Sequence, residues 1–180
     1  MKRNWFTTLV LAPLIILITL ALQSVILLLP YPLSSFNVVI FVLIFALLIW
    51  ESGNIVWFTA VLYGIIDWYT ATPYGLILIA SVLAMLTVLW FYRSFFTNRS
   101  PVSAAALTAF FSVARFIYFA IGFYGLSFLT KLDPPAFSVL FTTMLTEVLV
   151  TSPLVFMVYL GVRQLVPALK VTHTTPLRSL

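Results

Sequence analysis

Gly64-Ile65-Ile66-Asp67-Trp68-Tyr69-Thr70-Ala71-Thr72-Pro73-Tyr74-Gly75 sets a single carboxylate inside an otherwise apolar run. An ionisable side chain within a bilayer is expensive, so Asp67 needs a partner or a task, and the helix that carries it is more than a plain anchor. Pro73-Tyr74-Gly75 then reads as a break where one helix ends and the next begins.

The rest of the chain supplies the bilayer that this reading assumes. Of 180 residues, 63% are hydrophobic and only 7% charged, whereas about a quarter of a soluble domain is charged. Such a surface could not stay in water, so the composition predicts an all-α, polytopic membrane protein. The chain has no cysteine, which excludes disulfides, thiolate catalysis and thiolate-held metals. Its one histidine, His173, falls in the polar tail, so a histidine-ligated metal or haem within the membrane is excluded too. No cofactor is expected. A net charge of +5 would suggest nucleic acid in a soluble protein, but here the basic residues fall at helix ends and read as topology determinants.

A bilayer core of roughly 30 Å takes about 20 helical residues. Six stretches qualify, at 5–29, 36–50, 55–70, 73–92, 101–129 and 137–162. The second is short and is expected to tilt little or to start within a Ser34-Ser35 cap. The first exceeds a usual signal-peptide core and lacks a small-x-small site before Pro30, so it is expected to be retained. With the N-terminus inside, Lys2, Arg3, Arg93, Arg99, Arg163, Lys170 and Arg178 all face the cytoplasm, and Lys131 alone among loop residues faces out. Both termini are therefore expected in the cytoplasm. The expected organisation is a six-helix transmembrane domain over residues 1–162 and a partly disordered tail over 163–180.

Three charges within the spans are the candidate functional residues: Asp67, Arg115 and Glu147. Arg115 lies about 14 residues past Pro101, roughly 21 Å by helix rise, and Glu147 about 10 residues into its own span, roughly 15 Å. These depths overlap, so Arg115 is expected to bridge Glu147, Asp67 or both. The bland alternatives are that Asp67 is hydrated near the headgroups and that Arg115 snorkels outward between Tyr118 and Phe119. Ala60, Gly64, Asp67 and Ala71 share one helix face, as do Ala105, Ala109 and Ser112. Small residues there, with Gly75 at the following break, are candidate helix-packing positions. Thr143, Glu147 and Thr151 form a polar stripe. Gly122 and Gly125 suggest a flexible end to the fifth span, while Trp57, Trp68 and Trp90 read as lipid-facing or belt residues. Glu51 is expected to end the second span at the cytoplasmic surface, and Lys131 and Asp133 to form a solvated loop pair. No phosphate loop, nucleophile-base pair or metal-ligand spacing is present in the sequence.

Gly64…Asp67…Pro73-Tyr74-Gly75, late in the third of six short helices, resembles the rod-shape-determining membrane protein family MreD, in which a glycine-bearing helix ends with an aspartate followed eight residues later by a glycine. Glu147-Val148-Leu149-Val150-Thr151-Ser152-Pro153-Leu154 is similar to that family's late polar residue and proline-bearing run, though Glu147 replaces the more usual amide. The Phe96-Thr97-Asn98-Arg99-Ser100 loop resembles one in divergent MreD-like proteins. The resemblance implies a non-enzymatic scaffold in the bacterial cytoplasmic membrane, binding MreC and supporting the peptidoglycan synthesis complex. The family is similar in fold to the substrate-binding S components of energy-coupling-factor transporters, so a small-molecule-binding subunit is the alternative. An intramembrane carboxylate dyad of Asp67 and Glu147 is a distant third. Oligomeric state is not legible in the sequence.

Overall fold

The computed structural model describes residues 5–50, 52–70, 72–73, 75–95, 100–130 and 136–165. Among them the chain is helical with no strand. The elements run α1 (Trp5–Leu27), a 3-10 turn (Leu33–Ser35), α2 (Val38–Trp50), α3 (Asn54–Tyr69), α4 (Leu76–Phe95), α5 (Pro101–Thr130) and α6 (Phe137–Leu165). Proline and glycine punctuate it. Pro101 opens α5, where its missing N–H costs nothing, and Pro30 follows the end of α1. Glu51, Lys131 and Asp133 lie outside the described residues, as do Lys2, Arg3, Arg99, Lys170, His173 and Arg178.

Three helices, α4, α5 and α6, are long and apolar enough to cross a membrane, and α1 and α2 contribute shorter apolar runs. Their lengths differ sharply. The 30 residues of α5 reach roughly 45 Å, whereas the 13 of α2 reach about 20 Å. Short links make successive helices antiparallel neighbours.

The shortest helix is the most buried. Val38, Val39, Ile40, Leu43, Ile44, Leu47 and Leu48 of α2 form the centre of the core, with Leu62 and Tyr63 of α3, Met85 and Val88 of α4, Leu107 and Phe111 of α5, and Tyr159 of α6 around them. A helix enclosed on all sides reads as uniformly apolar, and that is the pattern of Val38–Trp50. Outward faces are apolar too: Trp57, Trp68 and Trp90 are exposed, as lipid-facing or interfacial residues are.

The link from α1 to α2 packs against the middle of α6. The 3-10 turn rests against α6, and the Asn37 amide donates to Thr151 Oγ1 at 3.1 Å. Thr151 is about 14 residues into α6, roughly 21 Å along it. Irregular backbone at such depth is tolerable only when protein satisfies its polar groups.

Candidate functional site

The two carboxylates of the described core each sit at the start of another helix. Asp67, only 2% exposed, ends α3 and turns its carboxylate onto the first turn of α4. Its Oδ2 accepts from the Gly75 amide and its Oδ1 from the Ile77 amide at 3.1 Å. The first amides of a helix have no intrahelical acceptor and carry the positive end of the dipole, so a carboxylate there is both neutralised and useful. Gly75 has φ +92°, a conformation that costs an L side chain roughly 1–2 kcal/mol. The Thr70 hydroxyl completes the joint by donating to the Asp67 carbonyl at 3.0 Å.

Glu147 acts on the start of α2 through Asn37. Asn37 caps that helix, its Oδ1 accepting from the Ile40 amide at 3.1 Å, while the Val38 amide donates to Gln23 Oε1 of α1 at 2.8 Å. The Asn37 side-chain amide in turn donates to Glu147 Oε2 at 3.2 Å. That oxygen also accepts from Arg115 Nη2 at 2.5 Å. The guanidinium lies 5.7 Å from the centroid of the Tyr63 ring, within cation–π range. Five helices thus meet at one polar layer: α1 through Gln23, α2 through Asn37, α3 through Tyr63, α5 through Arg115 and α6 through Glu147 and Thr151.

No family model, curated protein or solved structure matches this chain.

The geometry separates residues that the sequence expectations had grouped. Arg115 pairs with Glu147 and not with Asp67, whose oxygens are occupied by backbone amides. Neither bland alternative describes these side chains: Asp67 is enclosed, and Arg115 points to a carboxylate, with Tyr118 instead hydrogen bonded to Thr87 at 2.9 Å. Gly75 is a turn residue and not a helix-packing one, since a Cβ there would meet nothing within 4 Å. Gly64 faces Leu78 at ordinary contact distance, with 3.9 Å to a Cβ, and with Ala60 it lines an external groove of about 380 Å³ beside Trp68 and Tyr69. Ala71 lies outside the described residues. On α5, Ala105 and Ala109 are only half-buried, while Ala104, Leu107, Thr108, Phe111 and Ser112 are fully so. The buried stripe sits one position back because Phe111 must reach Tyr63, ring to ring at 6.3 Å. Helix α5 continues unbroken through Gly122 and Gly125. Gly122 marks a close approach instead, as a Cβ there would lie 2.6 Å from Leu76 Cδ1.

Asn37 and Gln23 are the site residues that sequence reasoning missed. Asn37 sits immediately before a long apolar run, which is an N-cap signal, whereas the expected Ser34-Ser35 cap is occupied by the 3-10 turn. Two cavities flank the layer and share Arg115 as a wall: one of about 190 Å³ between α4, α5 and α6, and one of about 390 Å³ reached by Gln23, Asn37, Tyr69 and Thr70. Among the described residues no cluster of three or more His, Asp or Glu forms a metal site.

Proposed function

We propose that the chain is a six-helix integral membrane protein with both termini cytoplasmic, and that it acts as a non-enzymatic scaffold of the bacterial cell-elongation machinery, binding an MreC-like partner and the cell-wall synthesis complex. The observation that carries this reading is the Asp67–Gly75 joint. The spacing of aspartate and glycine that resembles the MreD family is the spacing that lets the end of α3 cap the start of α4. Asp67 is spent on a helix end and Arg115 on Glu147, which suits a rigid frame better than a reaction centre. The groove beside Ala60 and Gly64 gives a partner helix a place to approach closely. On this reading the three long helices cross fully, and α1, α2 and α3 make up the six.

The paired cavities around Arg115 favour a second reading, a small-molecule-binding transporter subunit. Affinity purification of tagged protein from its native membrane in mild detergent separates the two. Recovery of an MreC-like protein with cell-wall synthesis enzymes is the expected result. Recovery of an ATPase pair with a transmembrane coupling subunit would sink the scaffold.

A further inference from the structure

The larger of the two cavities that share Arg115 holds about 390 Å³ and lies between α1, α3 and the start of α2. Helix α1 packs on α2 and the 3-10 turn, α3 packs on α2 and α4, and the cavity occupies the gap between them. Leu27 and Tyr69, the last residues of α1 and α3, both line it, so it reaches the rim of the bundle where those helices stop. Leu20 and Tyr63 line it too, roughly 10 Å further down by helix rise. Its polar residues are within reach of solvent: Ser24 and Tyr69 are exposed, and Gln23, Asn37 and Thr70 partly so. A water in a cavity needs two to four polar partners, and here there is room and bonding for several.

Charge is distributed unevenly around this space. Arg115 is the sole charged residue among its described lining, whereas Glu147 lines the 190 Å³ cavity instead. The ion pair therefore presents its positive end to the larger cavity. Asn37 and Val39, at the start of α2, also line it, and the first turn of a helix carries the positive end of the dipole. Such a field acts without contact, and apolar walls focus it. We propose that this cavity is a water-filled vestibule that draws small anions, of the size of a short-chain carboxylate or sulfonate, down to Arg115. The proposal rests on α1 and α3 lying in the bilayer but on neither functional role, since a scaffold or a transporter subunit would carry the vestibule alike.

The chain has no cysteine, so single introduced thiols report water without background. The full chain is held in zwitterionic nanodiscs and treated with two methanethiosulfonates of opposite sign, sulfonatoethyl and trimethylammonioethyl. Each rate is divided by that of the same reagent with mercaptoethanol. Leu20 and Ile66 line the cavity, whereas Ile18 and Leu22 are exposed elsewhere on α1, one turn apart and on the face opposite Leu20. Leu20→Cys and Ile66→Cys should therefore react, while Ile18→Cys and Leu22→Cys should stay unmodified. At the reactive sites the sulfonate should outpace the ammonium by roughly three- to tenfold, at or below the low end of electrostatic steering because Glu147 stands behind Arg115. Adding Arg115→Met together with Glu147→Gln, which removes both charges and strands neither, should remove most of that preference. Unreactive Leu20→Cys and Ile66→Cys would overturn the vestibule and leave the spans untouched. Equal rates for the two reagents, a faster ammonium, or a preference that survives in the double variant would overturn the attraction for anions. Reaction at all four sites would take α1 out of the lipid, and the vestibule with it.

Discussion

Breaking the Arg115–Glu147 pair from either side should cost much more than removing it whole. Removing one partner of a fully buried ion pair costs about 3–5 kcal/mol, largely because the other charge is stranded. Here the side chains are 24% and 13% exposed, so residual solvation should lower each single loss to roughly 2–4 kcal/mol. Glu147→Gln keeps an acceptor for Asn37 but strands the guanidinium. Arg115→Met keeps the stem's packing but strands the carboxylate, which retains only the Asn37 amide. The double variant strands neither charge, and its loss should stay near 1–2 kcal/mol, giving a coupling of about 2–7 kcal/mol by difference, at or above the usual range for contacting residues. The assay is reversible unfolding by SDS in mixed lipid micelles, followed by helical circular dichroism, on all four proteins. A double variant whose loss equals the sum of the singles to within about 0.5 kcal/mol would refute the reasoning, because the two charges would then not be holding each other in place.

Three further outcomes test the helix joints by the same assay. Asp67→Asn leaves one acceptor oxygen for two amides and should destabilise by about 1–3 kcal/mol, with protection of the Ile77 amide in hydrogen exchange falling alongside; unchanged protection would contradict the joint. Gly75→Ala should cost roughly 1–2 kcal/mol from its positive φ alone, since nothing lies within 4 Å of the new methyl. Gly122→Ala should cost about 1–3 kcal/mol by overpacking against Leu76, and most of that increment should vanish when it is measured in a Leu76→Ala background, whose own cavity cost is the reference. Absence of that rescue would mean that the helices do not approach at Gly122.

Much of the fold is legible in where proline and glycine fall. Pro30, Pro73, Pro101 and Gly75 mark helix ends within a few residues of their places, because these residues act on their own backbone and need no distant partner. Asp67 announces itself as a misplaced charge, yet its partners are backbone amides, which every sequence carries silently. Arg115 and Glu147 can be matched by depth, but depth alone also admits Asp67, and only the rotation of α3 decides. Asn37 and Gln23 look ordinary beside a loop, since their importance comes from the link dipping against α6. Gly122 was legible only as a loss of stiffness, while its role depends on Leu76 arriving from the other side.

The two carboxylates differ in how far along the chain their partners lie, and this bears on how the protein enters the membrane. Asp67 finds its amides eight and ten residues later, so the α3–α4 hairpin can bury its own charge as soon as it leaves the ribosome. Arg115 must wait for Glu147, 32 residues on, and until then α5 carries an unmatched charge worth about 2.5–3.5 kcal/mol against insertion. Synthesis arrested before Glu147 should therefore leave α5 only loosely committed to the bilayer, while the joint between α3 and α4 is already closed. The two longest helices are thereby set to commit as a pair, and their pairing closes the polar layer at the start of the short central helix.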